Sequence, residues 1–398
     1  MLRKTRLFTP GPTPILPAAQ TAMAAYAMHH RTADFRGLFS RVLADLKDFI
    51  GTNHDVLVLA SSGTGVMEGA VSNLTSAGDK VLVLSAGKFG ERWADLAKAF
   101  GCSVEIVSAP YGETFELDDL RQKLRPEVSA VYVQATESST GARHDIQAIA
   151  QLVRGRGDNT ILVVDAITGL GTTHFGVDGL IDVIIGGSQK ALMIPPGLAY
   201  CAISERAWKR METTRSPRYY FDFRKARKAA ARGESPYTPA TSLVAGLAAA
   251  LEFIRQMGDG DLIRGRQELI ENAELAARMT RAGAEGLGLR LFAPSCPAAA
   301  LTAIQAPSGT ESGAIIREFH DRFGAVVANG QGEMKGKLFR IAHLGYYDSL
   351  DTLAILAALE QVLAQVTGRA VKYGAAVRAA QEVYSQYRQG ANVPATAL

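Results

Sequence analysis

Short apolar runs alternate with helical patterns between residues 55 and 205. The apolar runs are rich in β-branched residues and cover 56–60, 81–85, 104–107, 130–135, 161–165, 183–186 and 198–203. Segments with helical character lie between many of them, at 65–75, 89–99, 117–124 and 146–154. Nearly continuous apolar strands separated by helices are typical of a parallel sheet that is covered on both faces. The pattern therefore predicts an α/β fold whose large domain surrounds a mainly parallel sheet of seven strands.

The pattern changes after residue 240. Long helices are predicted at 242–257, where Gly258-Asp259-Gly260 ends the first, and at 262–287. Strands at 301–305 and 337–342 and helices at 311–323 and 349–366 then indicate a smaller α+β domain. Helical spacing returns at 370–389, and we expect this helix to pack on its own domain rather than on a partner.

These patterns divide the chain into four parts. They are an N-terminal segment (1–15), a large domain (16–258), a small C-terminal domain (259–366) and a C-terminal helical extension (367–398).

Composition narrows the possible partners. The chain has 398 residues, of which 47% are hydrophobic, so it can bury a core in more than one domain. Charged residues make up 21% and the formal net charge is only +4. Nucleic-acid binding usually needs a concentrated basic patch, so we expect no nucleic-acid partner. The densest basic stretch, 215–232, is interpreted as a solvated loop or a subunit contact.

Cysteine usage and the N-terminus bear on location. Cys102, Cys201 and Cys296 are isolated and form no CxxC pair, which fits a reducing cytoplasm. No apolar stretch follows the basic first residues, so no signal peptide is expected. Four prolines are expected to break any helix there: Pro10, Pro12, Pro14 and Pro17. Since no apolar run approaches the ~20 residues of a membrane helix, we expect a soluble, cytoplasmic protein without a membrane partner.

A loop of small residues follows the strand at 56–60. In Ser61-Ser62-Gly63-Thr64-Gly65 the strand leads directly into a helix, whose first N–H groups and positive end favour a phosphate. Thr64 adds a hydroxyl donor. The segment is neither a Walker loop nor a GxGxxG motif. Taken alone, it is explained equally well by a tight turn between a strand and a helix.

Two charged residues follow apolar strands farther along the chain. Asp165 ends the strand at 161–165, and Lys190 follows the strand at 183–186 behind two glycines. Each is costly to bury without a partner, and burial lowers the pKa of a lysine. A lysine of lowered pKa is a usable nucleophile toward an aldehyde. A phosphate cradle, an acid and an amine at one edge of a sheet meet the three requirements for holding pyridoxal 5′-phosphate.

Several motifs give the chain a wider resemblance. They are TPGPTP (9–14), HHRTADF (29–35), SSGTG (61–65), GKFGERW (87–93), ESSTG (137–141), VVDAITGLG (163–171), GGSQKALMIPPG (186–197), YTPATSL (237–243) and FRIAHLG (339–345). With these motifs the chain resembles the class V, fold-type I aminotransferases that depend on pyridoxal phosphate, in the alanine/serine–glyoxylate branch. The resemblance covers about residues 7–366. It implies that residues 1–15 lie over the active site and that the large domain binds the cofactor.

The resemblance also assigns the residues around the cofactor. Lys190 would form the Schiff base and Asp165 would pair with the pyridinium nitrogen. Phe89 would stack on one face of the ring, where many relatives carry Trp, and Ile167 on the other. The remaining contacts would come from Gly63, Thr64 and Gln189 around the phosphate and from Ser138 near the 3-hydroxyl group.

Substrate and subunit contacts are implied in the same way. Arg340 would clamp the substrate carboxylate, because a guanidinium fork matches a carboxylate. The pair His30 and Arg31 resembles one that grips a substrate phosphate in phosphoserine aminotransferases, but glyoxylate-type relatives carry it too. Thr238 would reach the phosphate of the second subunit in a homodimer.

The resemblance implies transfer of an amino group from alanine or serine to a 2-oxo acid such as glyoxylate, in a ping-pong cycle through pyridoxamine phosphate. Transaminases of the same class for aspartate, phosphoserine or 2-aminoethylphosphonate stay open as the alternative. Cysteine desulfuration is less well supported, since Gln189 stands where desulfurases carry a histidine and only Cys296 lies in a loop. A non-catalytic subunit would be expected to lack Lys190, Asp165 or Arg340, and all three are present. No metal is expected.

Overall fold

The structure is a computed structural model and describes residues 3–25, 28–157 and 159–388. Residues 1–2 of the N-terminal segment and 389–398 of the C-terminal extension lie outside the described residues, as does the last position of the helix predicted at 370–389.

The strands are numbered in chain order. They are β1 (Arg6–Phe8), β2 (Asp55–Ser61), β3 (Lys80–Ser85), β4 (Ser103–Ser108), β5 (Val128–Gln134), β6 (Thr136–Glu137), β7 (Ala142–Arg143), β8 (Ile161–Asp165), β9 (Val183–Gly187), β10 (Gly197–Ile203), β11 (Leu301–Gln305), β12 (Ala325–Asn329) and β13 (Leu338–Ala342).

The helices are numbered in the same way. They are α1 (Pro17–Ala24), α2 (Ala33–Ile50), α3 (Gly63–Leu74), α4 (Lys88–Ala99), α5 (Leu117–Lys123), α6 (Ile146–Gly155), α7 (Glu205–Thr213), α8 (Phe223–Ala230), α9 (Thr241–Met257), α10 (Leu262–Gly286), α11 (Ser312–Phe323), α12 (Ser349–Thr367) and α13 (Ala375–Arg388). One 3-10 turn spans Gly332–Met334.

A seven-stranded sheet forms the centre of the large domain. Its order is β2-β10-β9-β8-β5-β3-β4. β10 runs antiparallel to both of its neighbours, whereas the pairs β9–β8, β8–β5, β5–β3 and β3–β4 are parallel. The predicted mainly parallel α/β sheet is therefore confirmed, and the seven apolar runs identified in the sequence are its seven strands.

Successive residues of a strand pack into two separate hydrophobic cores. In β2, Val56 and Val58 belong to one buried cluster while Leu57 and Leu59 belong to another. The first cluster includes residues of α2, α6 and α9, and the second includes residues of α3, α4 and α7. Because side chains alternate between the faces of a strand, each central strand must be apolar on both faces, whereas the edge strand β4 is largely exposed. This is why the central strands are nearly continuous apolar runs in the sequence.

A second sheet of four strands, in the order β1-β12-β13-β11, carries the small domain. β1 comes from the N-terminal segment and pairs in parallel with β12, with Leu7 opposite Val326. The same small-domain core takes in Ala376 and Ala380 of α13, and buried Glu360 of α12 accepts hydrogen bonds from the N–H groups of Gly374 and Ala376. The C-terminal helix therefore packs on its own domain, as expected.

One expectation about the polar segments is wrong. Pro17 does not break a helix but is the first residue of α1, a position where a missing N–H and a φ fixed near −65° cost nothing. For the basic stretch 215–232, the structure does not show a simple solvated loop, and the alternative of a subunit contact stays a prediction. The stretch contains α8, and Arg218 donates to the carbonyl of Ser72 at 2.9 Å while Arg227 pairs with Asp55 at 2.7 Å.

Of the helices in the described ranges, only α12 is long and apolar enough to cross a membrane. Ile355, Leu356, Leu359 and Val362 of this helix are buried in the small-domain core. Its apolar character is therefore explained by packing within the protein.

Asp182 joins three strands of the large sheet at the end opposite to the strand ends discussed below. Its carboxylate is fully buried and accepts hydrogen bonds from the N–H of Leu162 at 2.8 Å and the hydroxyl of Ser204 at 2.9 Å. It also pairs with Arg154 at 2.9 Å and Arg206 at 2.7 Å. The carboxylate therefore holds the beginnings of β8 and β9 against the end of β10.

Replacing this carboxylate should destabilise the large domain. We expect Asp182→Ala to lower the free energy of unfolding by about 3–5 kcal/mol, because four donors lose a buried charged acceptor. Urea denaturation followed by circular dichroism measures the change. Asp118→Ala is the control, since Asp118 pairs with Arg121 on the exposed face of α5 and its loss should change little. Equal stability of the two variants would contradict this role of Asp182.

Candidate functional site

The carboxyl ends of β2, β8 and β9 face a common pocket. In the β8–β9 pair Asp165 lies opposite Ile185, so the residues that follow these strands are neighbours. The loop after β2 reaches the same place, because a Cβ atom added to Gly63 would lie 2.1 Å from Cδ1 of Ile167. Ligands of open α/β sheets bind outside the carboxyl ends of the strands. The fold therefore brings the three predicted strand ends to one site.

The N-terminal segment covers Lys190. The Nζ atom of Lys190 donates to the carbonyl of Pro10. A Cβ atom added to Gly11 would lie 2.5 Å from that nitrogen, and Gly11 has a φ of +127°. Thr13 fastens the segment, since its N–H donates to the carbonyl of Gln189 at 3.1 Å and its hydroxyl to that of Lys190 at 3.0 Å. Only glycine fits at position 11, for reasons of both space and backbone conformation.

Lys190 and Asp165 have mutually dependent charges. Burial and the positive charges of Arg340 and Arg92, opposed by the charge of Asp165, together lower the pKa of Lys190 to about 8. Burial, opposed by a hydrogen bond from the N–H of Ile167 at 2.9 Å and by the charge of Lys190, raises the pKa of Asp165 to about 6 overall. At neutral pH the carboxylate is therefore mostly ionised, and a useful fraction of the amine is neutral and nucleophilic.

Helix α3 offers an anion site beside this pair. Ser62 is its N-cap residue, yet no side-chain hydrogen bond caps the helix. The N–H of Gly65 donates to the carbonyl of Ser62 at 3.0 Å, so within the described residues the N–H groups of Gly63 and Thr64 are left for an anion at the positive end of the helix. Gly63 keeps the approach open, and Gly187 lies beside Gln189, whose buried Oε1 has no hydrogen-bond partner among the described residues.

Glu137 holds the start of α4, which carries Phe89, the aromatic residue of the site. It is fully buried, and its Oε2 accepts from the N–H groups of Phe89 at 3.0 Å and Gly90 at 3.2 Å, so it caps α4 from outside. Burial raises the pKa of Glu137. The next residue, Ser138, is also buried and its hydroxyl lies 2.9 Å from that of Thr168. The ESSTG motif therefore fixes the start of α4 and, with it, the backbone of Phe89.

Arg340 lies across the site on β13 of the small domain. It is only 4% exposed, and its guanidinium donates to the carbonyls of Ser138 and Asn329. Burial lowers the pKa of Arg340 to about 10, which the charge of Glu137 opposes. The guanidinium forms no ion pair with a carboxylate of the described residues. A buried cation held by neutral carbonyls alone is suited to bind an anionic ligand.

Three predicted residues lie apart from this group. His30 stacks on His29, with ring centroids 4.6 Å apart, and Arg31 is exposed. Thr238 is exposed in the loop before α9, and its hydroxyl makes no hydrogen bond within the described part of the chain. None of the contacts of these residues is with Lys190, Asp165 or Arg340, so their roles stay predictions, and that of Thr238 requires a second subunit.

Sequence reasoning missed two contributors, Glu137 and Arg92, and it placed the N-terminal segment over the site without indicating that Pro10 and Gly11 contact the lysine. The Nη1 atom of Arg92 donates to the hydroxyl of Thr64 at 3.1 Å, and its guanidinium lies 4.7 Å from the centre of the Phe89 ring. The spacing of Phe89 and Arg92 by three residues on a helix could have indicated that they share a face.

Together, the buried amine, the buried acid and the uncapped helix N-terminus are groups that could hold a phosphorylated aldehyde cofactor. Comparison with known proteins supports this class. A family model described as Aminotransferase class-V matches residues 7–280. The chain is 38% identical to the "Soluble hydrogenase 42 kDa subunit" of Anabaena cylindrica over 96% of this chain and 99% of the relative. It is 32% identical to the L-aspartate–glyoxylate aminotransferase of Paracoccus denitrificans over 97% and 98% of the two chains.

A solved structure gives the same result. The aspartate aminotransferase of subgroup IV from Thermus thermophilus superposes with a TM-score of 0.83, at 33% identity, over 91% of this chain and 99% of that one. The chain therefore belongs to the class V aminotransferase family, has the fold-type I architecture and is an aminotransferase. Enzymes of this family depend on pyridoxal phosphate.

The coupling between Lys190 and Asp165 can be measured on protein freed of small ligands. Labelling of Lys190 by an acylating reagent should reach half its maximal rate near pH 8. Asp165→Asn should move this midpoint to lower pH, because the carboxylate that stabilises the ammonium is lost. Mass spectrometry of the peptides gives the rates, and exposed Lys209 is the internal control. A midpoint that does not fall in the variant would show that the carboxylate does not act on the amine.

Proposed function

We propose that the protein transfers an amino group from a small L-amino acid, alanine or serine, to a 2-oxo acid such as glyoxylate, with pyridoxal 5′-phosphate as its cofactor. The observation that carries the proposal is the grouping of Lys190, Asp165 and the uncapped N-terminus of α3, with Arg340 across the same pocket. The proposed setting is cytoplasmic, consistent with three cysteines that form no disulfide.

The residues fit the cofactor at each of its polar groups. The first turn of α3, with Gly63 and Thr64, would hold the phosphate, and Gln189 would donate to it through its amide N–H groups. Ionised Asp165 would hold a protonated ring nitrogen. Phe89 and Ile167 would cover the two faces of the ring, and Ser138 would lie near its hydroxyl group. When bound, the cofactor supplies an electron sink for the charge that develops at the substrate Cα.

Lys190 would carry both covalent attachment and proton transfer. An amine with a pKa near 8 can be neutral at physiological pH and can take a proton from the substrate Cα. The Pro10 carbonyl and the Gly11 backbone restrict where this amine can lie, so it is held for a short proton transfer. A single lysine serves both half-reactions of the proposed ping-pong cycle.

Arg340 would bind the α-carboxylate of the donor and then of the acceptor. It is buried and charged, and the carbonyls that hold it are weaker partners than a carboxylate. Because it lies on β13, substrate binding would also connect the small domain to the site on the large one.

A homodimer would complete the site. Beside exposed Thr238, three tyrosines form an accessible stack: Tyr220 and Tyr237 have ring centroids 5.1 Å apart, and Tyr219 and Tyr237 5.8 Å apart. Exposed aromatic side chains of this kind are enriched in subunit interfaces. We propose that this surface pairs with a second copy, so that Thr238 reaches the phosphate of the partner.

An amino donor other than alanine or serine is the main alternative to the proposed reaction. The name of the Paracoccus denitrificans relative pairs aspartate with glyoxylate, and the pair His30 and Arg31 is compatible with an acidic donor such as aspartate, phosphoserine or 2-aminoethylphosphonate. Desulfuration lacks support, because burial raises the pKa of Cys296 and its thiol donates to the carbonyl of Gly112. The Anabaena cylindrica relative is named as a hydrogenase subunit. In the described ranges of this chain, no group of three or more His, Cys, Asp or Glu side chains could hold a metal ion.

The proposed activity is tested with the purified protein and a panel of donors. Alanine, serine and aspartate are offered with glyoxylate, pyruvate or 2-oxoglutarate, and release of the oxo acid is followed. We expect the highest kcat/KM with alanine or serine and glyoxylate, and visible absorbance of lysine-bound cofactor that Lys190→Ala abolishes. Normal cofactor absorbance in Lys190→Ala would refute the assignment of the amine. A clear preference for aspartate would replace the proposed donor.

Arg340 provides a second test. Arg340→Lys keeps the charge but loses the bidentate fork, so KM for the amino acid should rise about tenfold to a hundredfold with a smaller change in kcat. Arg281→Lys is a matched control, because Arg281 is also a largely buried arginine that donates to a backbone carbonyl, that of Ala298. An unchanged KM in Arg340→Lys would mean that the carboxylate binds elsewhere.

A further inference from the structure

Arg92 lies between the first turn of α3, where the cofactor phosphate is proposed to bind, and the ring of Phe89. It belongs to the second turn of α4, three residues after Phe89, and its guanidinium covers the Phe89 ring at 4.7 Å. Its Nη1 donates at 3.1 Å to the hydroxyl of Thr64, the second residue of α3. One side chain therefore bridges the starts of the two helices.

No acid is bonded to Arg92 within the described ranges. Glu91, its neighbour on α4, is paired with Lys88 and accepts from the hydroxyl of Tyr111. Glu137, which caps α4, is occupied by backbone N–H groups and by Ser139. Asp165 is close enough for the charge of Arg92 to lower its pKa, but the two form no ion pair. A partly buried cation with no bonded acid beside an uncapped helix N-terminus favours an anion at that position.

The hydrogen bond to Thr64 adds a geometric argument. A hydroxyl group can accept one hydrogen bond and still donate its own proton. Because the Thr64 oxygen accepts from Arg92, its O–H proton is free to donate to a ligand. Arg92 uses one of its five N–H donors on Thr64, and the guanidinium fork can offer others to an oxyanion. The charge of Arg92 also extends to the rest of the site, since it lowers the pKa of Lys190.

We propose that Arg92 is a phosphate-binding residue of the cofactor site, donating to a phosphate oxygen directly and orienting the Thr64 hydroxyl as a second donor. This inference rests on the proposed function, since it assumes that pyridoxal phosphate occupies the pocket. It adds a positive charge to a cradle that otherwise consists of neutral donors, the N–H groups of α3 and the side chains of Thr64 and Gln189.

The test separates the phosphate from the ring of the cofactor. Protein freed of cofactor is titrated with pyridoxal 5′-phosphate and with pyridoxal, which lacks the phosphate, and binding is followed by absorbance. Arg92→Gln should weaken binding of pyridoxal phosphate about tenfold to a hundredfold, because charge-assisted hydrogen bonds are lost. It should leave the affinity for pyridoxal unchanged, and Arg92→Lys should lie between the wild type and Arg92→Gln.

A matched variant controls for removal of an arginine. Arg218→Gln removes a partly buried arginine that donates to the carbonyls of Ser72 and Ser216 and takes no part in the site. It should change neither affinity. Melting curves of the variants by circular dichroism establish that each is folded before titration.

The other outcomes are distinct. If the wild type binds no pyridoxal phosphate, the proposed function itself fails. If the wild type binds it and Arg92→Gln weakens both ligands equally, Arg92 acts only by packing on Phe89 and the inference is overturned. It is also overturned if cofactor affinity is unchanged and only KM for aspartate rises, because Arg92 would then bind the donor.

Discussion

The burial of the Lys190 amine beside the Asp165 carboxylate is the constraint on which the site depends. Neither charge is stable alone in an apolar interior, and each lowers the cost of the other. Burial exceeds this attraction for both groups, so the pKa of Lys190 falls to about 8 and that of Asp165 rises to about 6. The pair therefore keeps an ionised acid next to an amine that loses its proton easily, as cofactor attachment requires.

The fold holds this pair with elements that are distant in sequence. The strand ends of β8 and β9 supply the two residues, and the N-terminal segment closes over the amine through Pro10 and Gly11. That segment begins in β1, which is a strand of the small-domain sheet. The segment that covers Lys190 is therefore continuous with a strand of the small domain, which also carries Arg340. A movement of the small domain would change the surroundings of the amine through this segment and through Arg340.

The two arginines of the site are bonded to neutral groups. Arg340 and Arg92 are each held by neutral groups, carbonyl oxygens in one case and a hydroxyl in the other, and the nearby carboxylate of Glu137 is occupied by the backbone of α4. Positive charge is therefore available on two different elements of the site, α4 and β13, and one could serve the phosphate of the proposed cofactor and the other the carboxylate of the substrate.

The sequence alone determined the large sheet, because each central strand must be apolar on both faces and so appears as an unbroken run. It also indicated Lys190, Asp165 and the loop at 61–65, since an amine, an acid and a phosphate cradle at one sheet edge are specific jointly, although each alone has a structural explanation. It did not indicate β1 or the role of Glu137. An edge strand of three residues has no period to detect, and a carboxylate that caps a helix begun nearly fifty residues earlier leaves no local pattern.

Only the tertiary structure decided which of the remaining residues meet. Arg92 reaches Thr64, and Gly11 approaches Lys190, because α3, α4 and the N-terminal segment converge at one edge of the sheet. Such contacts depend on packing between elements that are far apart in the chain, whereas sequence patterns record only whether each residue faces the core or the solvent. Within the described part of the chain, no contact joins His30, Arg31 or Thr238 to the lysine, so packing in one subunit does not decide their roles in the site.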